Sequence, residues 1–189
     1  DDAELGLRYP RRAGERHSRD VRHLRRRPHR VLACGEHRLH EHAAPDVPAD
    51  RYTMLGERYR HHYLAHQHDI SLFDGVLPML SGLKTRHHWL TVATGKSRRG
   101  LDEALHAVEL QGLFDGSRTA DETAGKPSPL MLQELMGEFG VAPERTLMIG
   151  DTTHDLQMAL NAGCAGVGVS YGAHESGAFA SLSPRFVAH

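Results

Sequence analysis

From Trp89 to Val187, short apolar runs alternate with helix-like segments, and this alternation constrains the fold more than any other feature of the chain. Trp89-Leu90-Thr91-Val92-Ala93-Thr94 reads as a short buried strand ending at Gly95. Ser97 is placed to cap the next helix, whose Leu101, Ala104, Leu105 and Val108 recur at the spacing of one face. A further helix opens at Ser128 with Pro129 as its first residue, turns Leu132, Leu135, Met136 and Phe139 inward, and stops at Gly140. Thr146-Leu147-Met148-Ile149 is a second strand running into Gly150-Asp151, followed by a helix carrying Leu156, Ala159 and Leu160 that closes at Gly163. Ala165 to Val169 forms another strand, and Arg185-Phe186-Val187 the last. Strands separated by helices cannot pair as hairpins. The pattern therefore predicts a doubly wound α/β fold with a parallel sheet, in which ligands sit at the carboxyl ends of the strands.

The chain upstream of Ala44 has a different composition. The whole sequence of 189 residues is nearly neutral, with 23 Lys+Arg against 24 Asp+Glu, but residues 1–43 hold 11 Arg, no Lys, 6 His and 7 acidic residues. No apolar periodicity persists there for more than a turn, so no core element is expected. Three readings compete for this arm. Arg22, Arg25, Arg26, Arg27 and Arg30 form a cluster suited to phosphates of nucleic acid. A solvated, disordered tail explains the same composition. Out-of-frame translation of a GC-rich gene also yields Arg, His, Pro and Gly richness without Lys. Beyond the arm, Tyr52, Leu55, Tyr59 and Tyr63 predict an amphipathic helix through about His66.

No apolar run reaches the roughly 18–20 residues of a membrane span, and DDAELGLRYPRR has no apolar signal-peptide region. Cys34 and Cys164 are too few for a disulfide framework and have no CxxC spacing. A cytoplasmic location and no membrane partner are expected.

Three polar positions fall at the strand ends: Thr94 with Gly95, Lys126 in a loop before a helix, and Asp151, with Asp155 one helical turn further on. Together they suit phosphate chemistry. A hydroxyl and a backbone N–H donate to phosphate oxygens, a lysine neutralises developing charge, and a carboxylate holds Mg²⁺, a hard cation that prefers oxygen. Each also has a plainer reading. Thr94-Gly95 is a possible strand-to-turn junction, Lys126 before Pro127 a surface lysine, Asp151 an N-cap and Asp155 a first-turn residue favoured by the helix dipole.

The joint pattern resembles the haloacid dehalogenase superfamily of phosphohydrolases, in particular its phosphoglycolate-phosphatase-like members with a small helical cap, over about residues 44–189. LTVATGKSRRGL is similar to the family's second motif, with Thr94 as the phosphate-binding hydroxyl and Gly95 and Lys96 following. ADETAGKPSPLMLQELM resembles the third, with Lys126 as its lysine, and MIGDTTHDLQMALNAG the fourth, with Asp151 as the metal-binding acid and Asp155 as the acid that buttresses the loop. GVGVSYGAH resembles the stretch after the next strand. The resemblance implies an arm at 1–43, a cap remnant at 44–72 and a Rossmann-like core at 73–189. It also implies Mg²⁺ as cofactor, a small phosphomonoester as substrate, and reaction through an aspartyl-phosphate.

One departure is severe. The family's first motif, an apolar strand followed by DxDGT, supplies the nucleophile, and this sequence contains no DxD. Leu72-Phe73-Asp74-Gly75 has one Asp before its Gly and no apolar strand before it. It reads as a turn into a helix carrying Val76, Leu77, Leu80 and Leu83. No nucleophile is assigned. The missing motif belongs upstream of the cap, where the Arg-rich arm stands, and this ranks the out-of-frame reading of the arm first. Two functions from different classes follow: a Mg²⁺-dependent phosphatase, inactive in the chain as written, or a non-catalytic phosphate-binding or regulatory relative. Nucleic-acid binding ranks last, because the arm has one aromatic residue, Tyr9, and no zinc motif.

Overall fold

Local signals set most of the helices. In the computed structural model, which describes residues 7–8, 48–65, 71–174 and 176–189, a short 3₁₀ turn at Ala49–Arg51 leads into helix α1, Tyr52–Ala65. Leu55 is half-buried, while the side chains of Tyr52, Tyr59 and Tyr63, and His66 itself, lie outside the described residues. Strand β1 (Leu7–Arg8) pairs antiparallel with β2 (Ser71–Leu72), Leu7 opposite Leu72. Two residues of backbone pairing need no apolar face, so periodicity could not reveal them. The remainder of the predicted arm is outside the described residues. Asp74-Gly75 is the expected turn, with Gly75 at φ +85°, and it opens helix α2, Val76–Thr85. None of the residues of α2 is fully buried, and Leu77 is half exposed.

Strand β3 is Thr91–Thr94, shorter than predicted. Leu90 is buried but Trp89 is 59% exposed, its ring packed at 5.0 Å on that of Phe139. Ser97 caps helix α3 (Arg98–Ala107), accepting from the Gly100 N–H as expected. Strand β4 (Gly116–Thr119) runs parallel to β3, from Thr91 opposite Gly116 to Thr94 opposite Thr119. Sequence reasoning missed β4, because Gly-Ser-Arg-Thr has neither an apolar run nor alternation. Its start is fixed by Asp115, which accepts from Lys84 Nζ at 2.6 Å and from the Leu90 N–H at 2.8 Å, tying α2 and β3 together.

Helix α4 (Leu130–Phe139) starts one residue later than predicted, with Pro129 at the N-cap, and ends at Gly140 in the left-handed region at φ +62°. Strands β5 (Leu147–Gly150), β6 (Ala165–Val169) and β7 (Phe186–Ala188) form a parallel three-stranded sheet, with α5 (Thr153–Asn161) crossing from β5 to β6. On α5, Leu160 is exposed, whereas Met158 is fully buried. The buried stripe runs through 155, 158, 159 and 162, and Leu160 falls one residue off it.

Among the described residues two clusters make the core. Val92 packs with Leu101 and Ala104, while its neighbour Ala93 joins Met131, Leu132, Leu135, Met148, Met158 and Ala159. Adjacent strand residues point to opposite faces, so β3 is covered on both sides, as a doubly wound fold requires. Each fully buried leucine or methionine is worth roughly 1.5–3 kcal/mol over exposure, and α4 spends several of them joining β3 to β5. Among the described residues, β3 and β5 belong to separate sheets, β3–β4 and β5–β6–β7. On β5, Met148 is buried, but Leu147 and Ile149 on the opposite face are 51% and 46% exposed.

Candidate active site

Among the described residues, the carboxyl end of β5 carries the densest set of buried polar groups. β5 ends at Gly150, and Asp151 and Thr152 follow, each 1% exposed. Thr152, not Asp151, caps α5. Its hydroxyl accepts from the Asp155 N–H at 3.2 Å, and Asp155 Oδ2 accepts from the Thr152 N–H at 3.0 Å and the Thr152 hydroxyl at 2.7 Å. This reciprocal capping box turns Asp155 back under the strand end. Gly150 makes room for it: a Cβ there would collide with the Asp155 side chain.

Lys126 approaches from the loop before α4, its Nζ 2.7 Å from Asp155 Oδ1. The lysine side chain is 5% exposed and the aspartate 0%, so the plain reading of Lys126 as a surface lysine fails. The loop is tied down next to it, where Asn161 Nδ2 donates to the Pro127 carbonyl at 2.8 Å. Burial pushes the Asp155 carboxyl up, but the Lys126 ammonium and the two Thr152 donors outweigh it and hold the carboxyl below its ordinary value. Burial lowers the half-buried His154 imidazole, Asp155 pulling it up and Lys126 pushing it down.

Asp151 is held from another side. Its Oδ2 accepts from the Ala173 N–H at 2.5 Å and its carbonyl from the His174 N–H at 3.1 Å, while Oδ1, also buried, has no hydrogen-bond partner among the described residues. A buried carboxylate oxygen left bare is costly unless a cation meets it, so Asp151 fits a divalent metal through Oδ1. It stands alone in that respect: among the described residues no group of three or more His, Cys, Asp or Glu is arranged around a metal position.

Thr94 and Gly95 stand at the carboxyl end of β3. Thr94 is fully buried and its Oγ1 accepts from the Lys96 N–H at 3.2 Å, while Gly95 is exposed. The structure thus brings Lys126, Asp155 and Asp151 together around the start of α5 and leaves Thr94-Gly95 as a second polar strand end. Sequence reading gave no role to Thr152 or to the residues of the Gly172–His174 loop. The Thr-x-x-Asp spacing of a capping box was a readable signal for Thr152. The loop lies within GVGVSYGAH, which the sequence singled out as the stretch after the next strand without giving its residues a role.

A parallel α/β core with its buried acids and lysine at the strand ends defines the doubly wound class, whose ligands bind at those ends. Within that class the chain belongs to the haloacid dehalogenase-like hydrolase family, whose model matches residues 32–169. It is 30% identical over 149 residues to a phosphoglycolate phosphatase of Mannheimia succiniciproducens, covering 78% of this chain and 66% of that protein. It is 32% identical over 142 residues to one of Pasteurella multocida, covering 73% and 62%. In structure it is similar to a predicted phosphoglycolate phosphatase of Haemophilus somnus, with a TM-score of 0.75 at 24% identity over 84% of this chain and 75% of that one. The chain spans half to two thirds of the length of the curated relatives it matches. Among the described residues no helix is long and apolar enough to cross a membrane.

Proposed function

We propose that this chain carries the supporting groups of a Mg²⁺-dependent phosphatase site for a small phosphomonoester of the 2-phosphoglycolate kind, in the cytoplasm, and that the chain as written does not turn that substrate over. The observation that carries the reading is the pairing of a buried Lys126 with Asp155 beside a buried Asp151 oxygen that has no hydrogen-bond partner among the described residues. In this reading α1 is what remains of a cap over the core. The Thr94 hydroxyl and the Gly95 N–H donate to phosphate oxygens. Lys126, held by Asp155, presents a fixed positive charge to the equatorial oxygens, where charge grows in the transition state. Asp155 itself touches no substrate and acts by fixing Lys126 and the Thr152 turn. Asp151 Oδ1 holds the metal, which when bound offsets repulsion between an attacking carboxylate and the phosphate.

The nucleophile is the missing part, since no DxD occurs in the sequence. That same absence favours the second reading, a non-catalytic phosphate-binding relative. Groups that act as a set rescue little once the nucleophile is gone, with losses of about 10⁶-fold in a linked triad. Purified 1–189 protein is expected to leave p-nitrophenyl phosphate and 2-phosphoglycolate intact with Mg²⁺ present, while binding inorganic phosphate in a manner that Lys126→Met abolishes. Mg²⁺-dependent turnover lost in Asp74→Asn would overturn the proposal, because Asp74 would then be the nucleophile.

A further inference from the structure

Asp151 is gripped by two consecutive amides of one loop. The Ala173 N–H takes Oδ2 at 2.5 Å, and the His174 N–H takes the Asp151 carbonyl at 3.1 Å. The preceding residue must be glycine, since a Cβ at Gly172 would collide with the Asp151 Cβ and carboxylate. The His174 side chain then closes the loop onto α5. Its Nδ1 accepts from the Thr153 N–H at 3.1 Å and lies 3.3 Å from the Thr153 hydroxyl. Thr153 is the first residue of α5, so its amide has no acceptor within the helix, and an imidazole Nδ1 lone pair supplies one. On the other side, Tyr171 packs edge-on against Phe73 with ring centroids 5.0 Å apart. The loop is anchored at one end to the segment entering α2 and at the other to the start of α5.

We propose that the Gly172–His174 loop is the positioning device for Asp151: it commits Oδ2 to the Ala173 amide, leaves Oδ1 for the cation, and depends on His174 Nδ1 accepting from Thr153 to stay in register. This rests on the reading of Asp151 as the metal-binding acid. His174 is a positioning residue, acting through Asp151 without touching substrate. Substituting a group that orients a metal ligand typically weakens metal affinity about 10- to 100-fold. An asparagine at 174 offers a carbonyl oxygen near the place of Nδ1, whereas leucine fills similar volume and accepts nothing.

The test is Mn²⁺ titration of the full chain at about pH 8, where histidine is neutral, followed by electron paramagnetic resonance of the free ion. Thermal melts of each variant accompany it. His174→Leu is expected to weaken Mn²⁺ binding about tenfold with its melt within a few degrees of the parent, and His174→Asn to restore most of the affinity. Equal affinity in His174→Leu and parent overturns the proposal, as does His174→Asn binding as poorly as His174→Leu, since the acceptor would then be irrelevant. Asp151→Ala separates the two levels. If it leaves Mn²⁺ binding unchanged, the metal reading falls and the loop's role falls with it; if it removes binding while His174→Leu does not, the loop proposal alone fails.

Discussion

Replacing Lys126 with methionine removes the cation from a pair buried on both sides while keeping the length of the side chain. Asp155 has no exposed surface, and its Oδ1 lies 2.7 Å from the lysine. Breaking one side of a buried pair costs about 3–5 kcal/mol, against the roughly 5–15 kcal/mol by which domains are stable. At a urea m-value of about 2 kcal/mol/M, that lowers the unfolding midpoint by roughly 1.5–2.5 M. The pH dependence follows from the direction of the shift. In the parent the folded carboxyl is held below its ordinary value, so its contribution is present above the unfolded pKa of about 3.9 and lost as pH falls through the folded value. In Lys126→Met burial dominates and the folded carboxyl rises. The variant is therefore penalised most at neutral pH and recovers as Asp155 takes up its proton. The gap between the proteins, followed by far-UV circular dichroism in urea, narrows on acidification. Lys126→Met/Asp155→Asn removes the stranded charge but keeps an oxygen for the Thr152 N–H, and regains more than half of the loss. A single variant with the parent's midpoint, or a double variant no better than the single one, would refute the argument.

The remaining expectations concern the same strand end and the arm. Gly150→Ala drives a methyl into the Asp155 side chain; overpacking costs about 1–3 kcal/mol, and a melt indistinguishable from the parent's would show that the capping box yields. Mg²⁺ binding by calorimetry is weak, because Asp151 supplies the one bare buried carboxylate oxygen that the described residues place there beyond the Lys126 pair, and it disappears in Asp151→Asn. Tight, stoichiometric binding that survives Asp151→Asn puts the cation elsewhere. The DNA encoding residues 1–43, read in its other frames, contains an apolar strand followed by Asp-x-Asp-Gly-Thr; finding none removes the out-of-frame reading and favours a natural non-catalytic relative.

Much of the fold was legible because its determinants are local. The Ser97 cap needs only the amide of Gly100, the stop at Gly140 needs only a residue that tolerates positive φ, and the stripe on α4 is set by 3.6 residues per turn. Asp151 at the end of β5 and Asp155 one turn on follow from the strand-to-helix junction itself. What tertiary structure decided are contacts between groups far apart in sequence. β4 is a strand because β3 offers it a ladder, although its own residues carry no strand pattern. Lys126 is buried because Asp155, 29 positions away, compensates its charge, and Trp89 leaves the strand to lie on Phe139. Among the described residues, Asp151 keeps one buried carboxylate oxygen without a hydrogen-bond partner rather than two, because amides 22 and 23 residues later capture the other oxygen and the carbonyl. Periodicity and capping are written over three or four neighbouring residues. Ion pairing, strand pairing and close backbone approach depend on distances that exist only once the chain has folded.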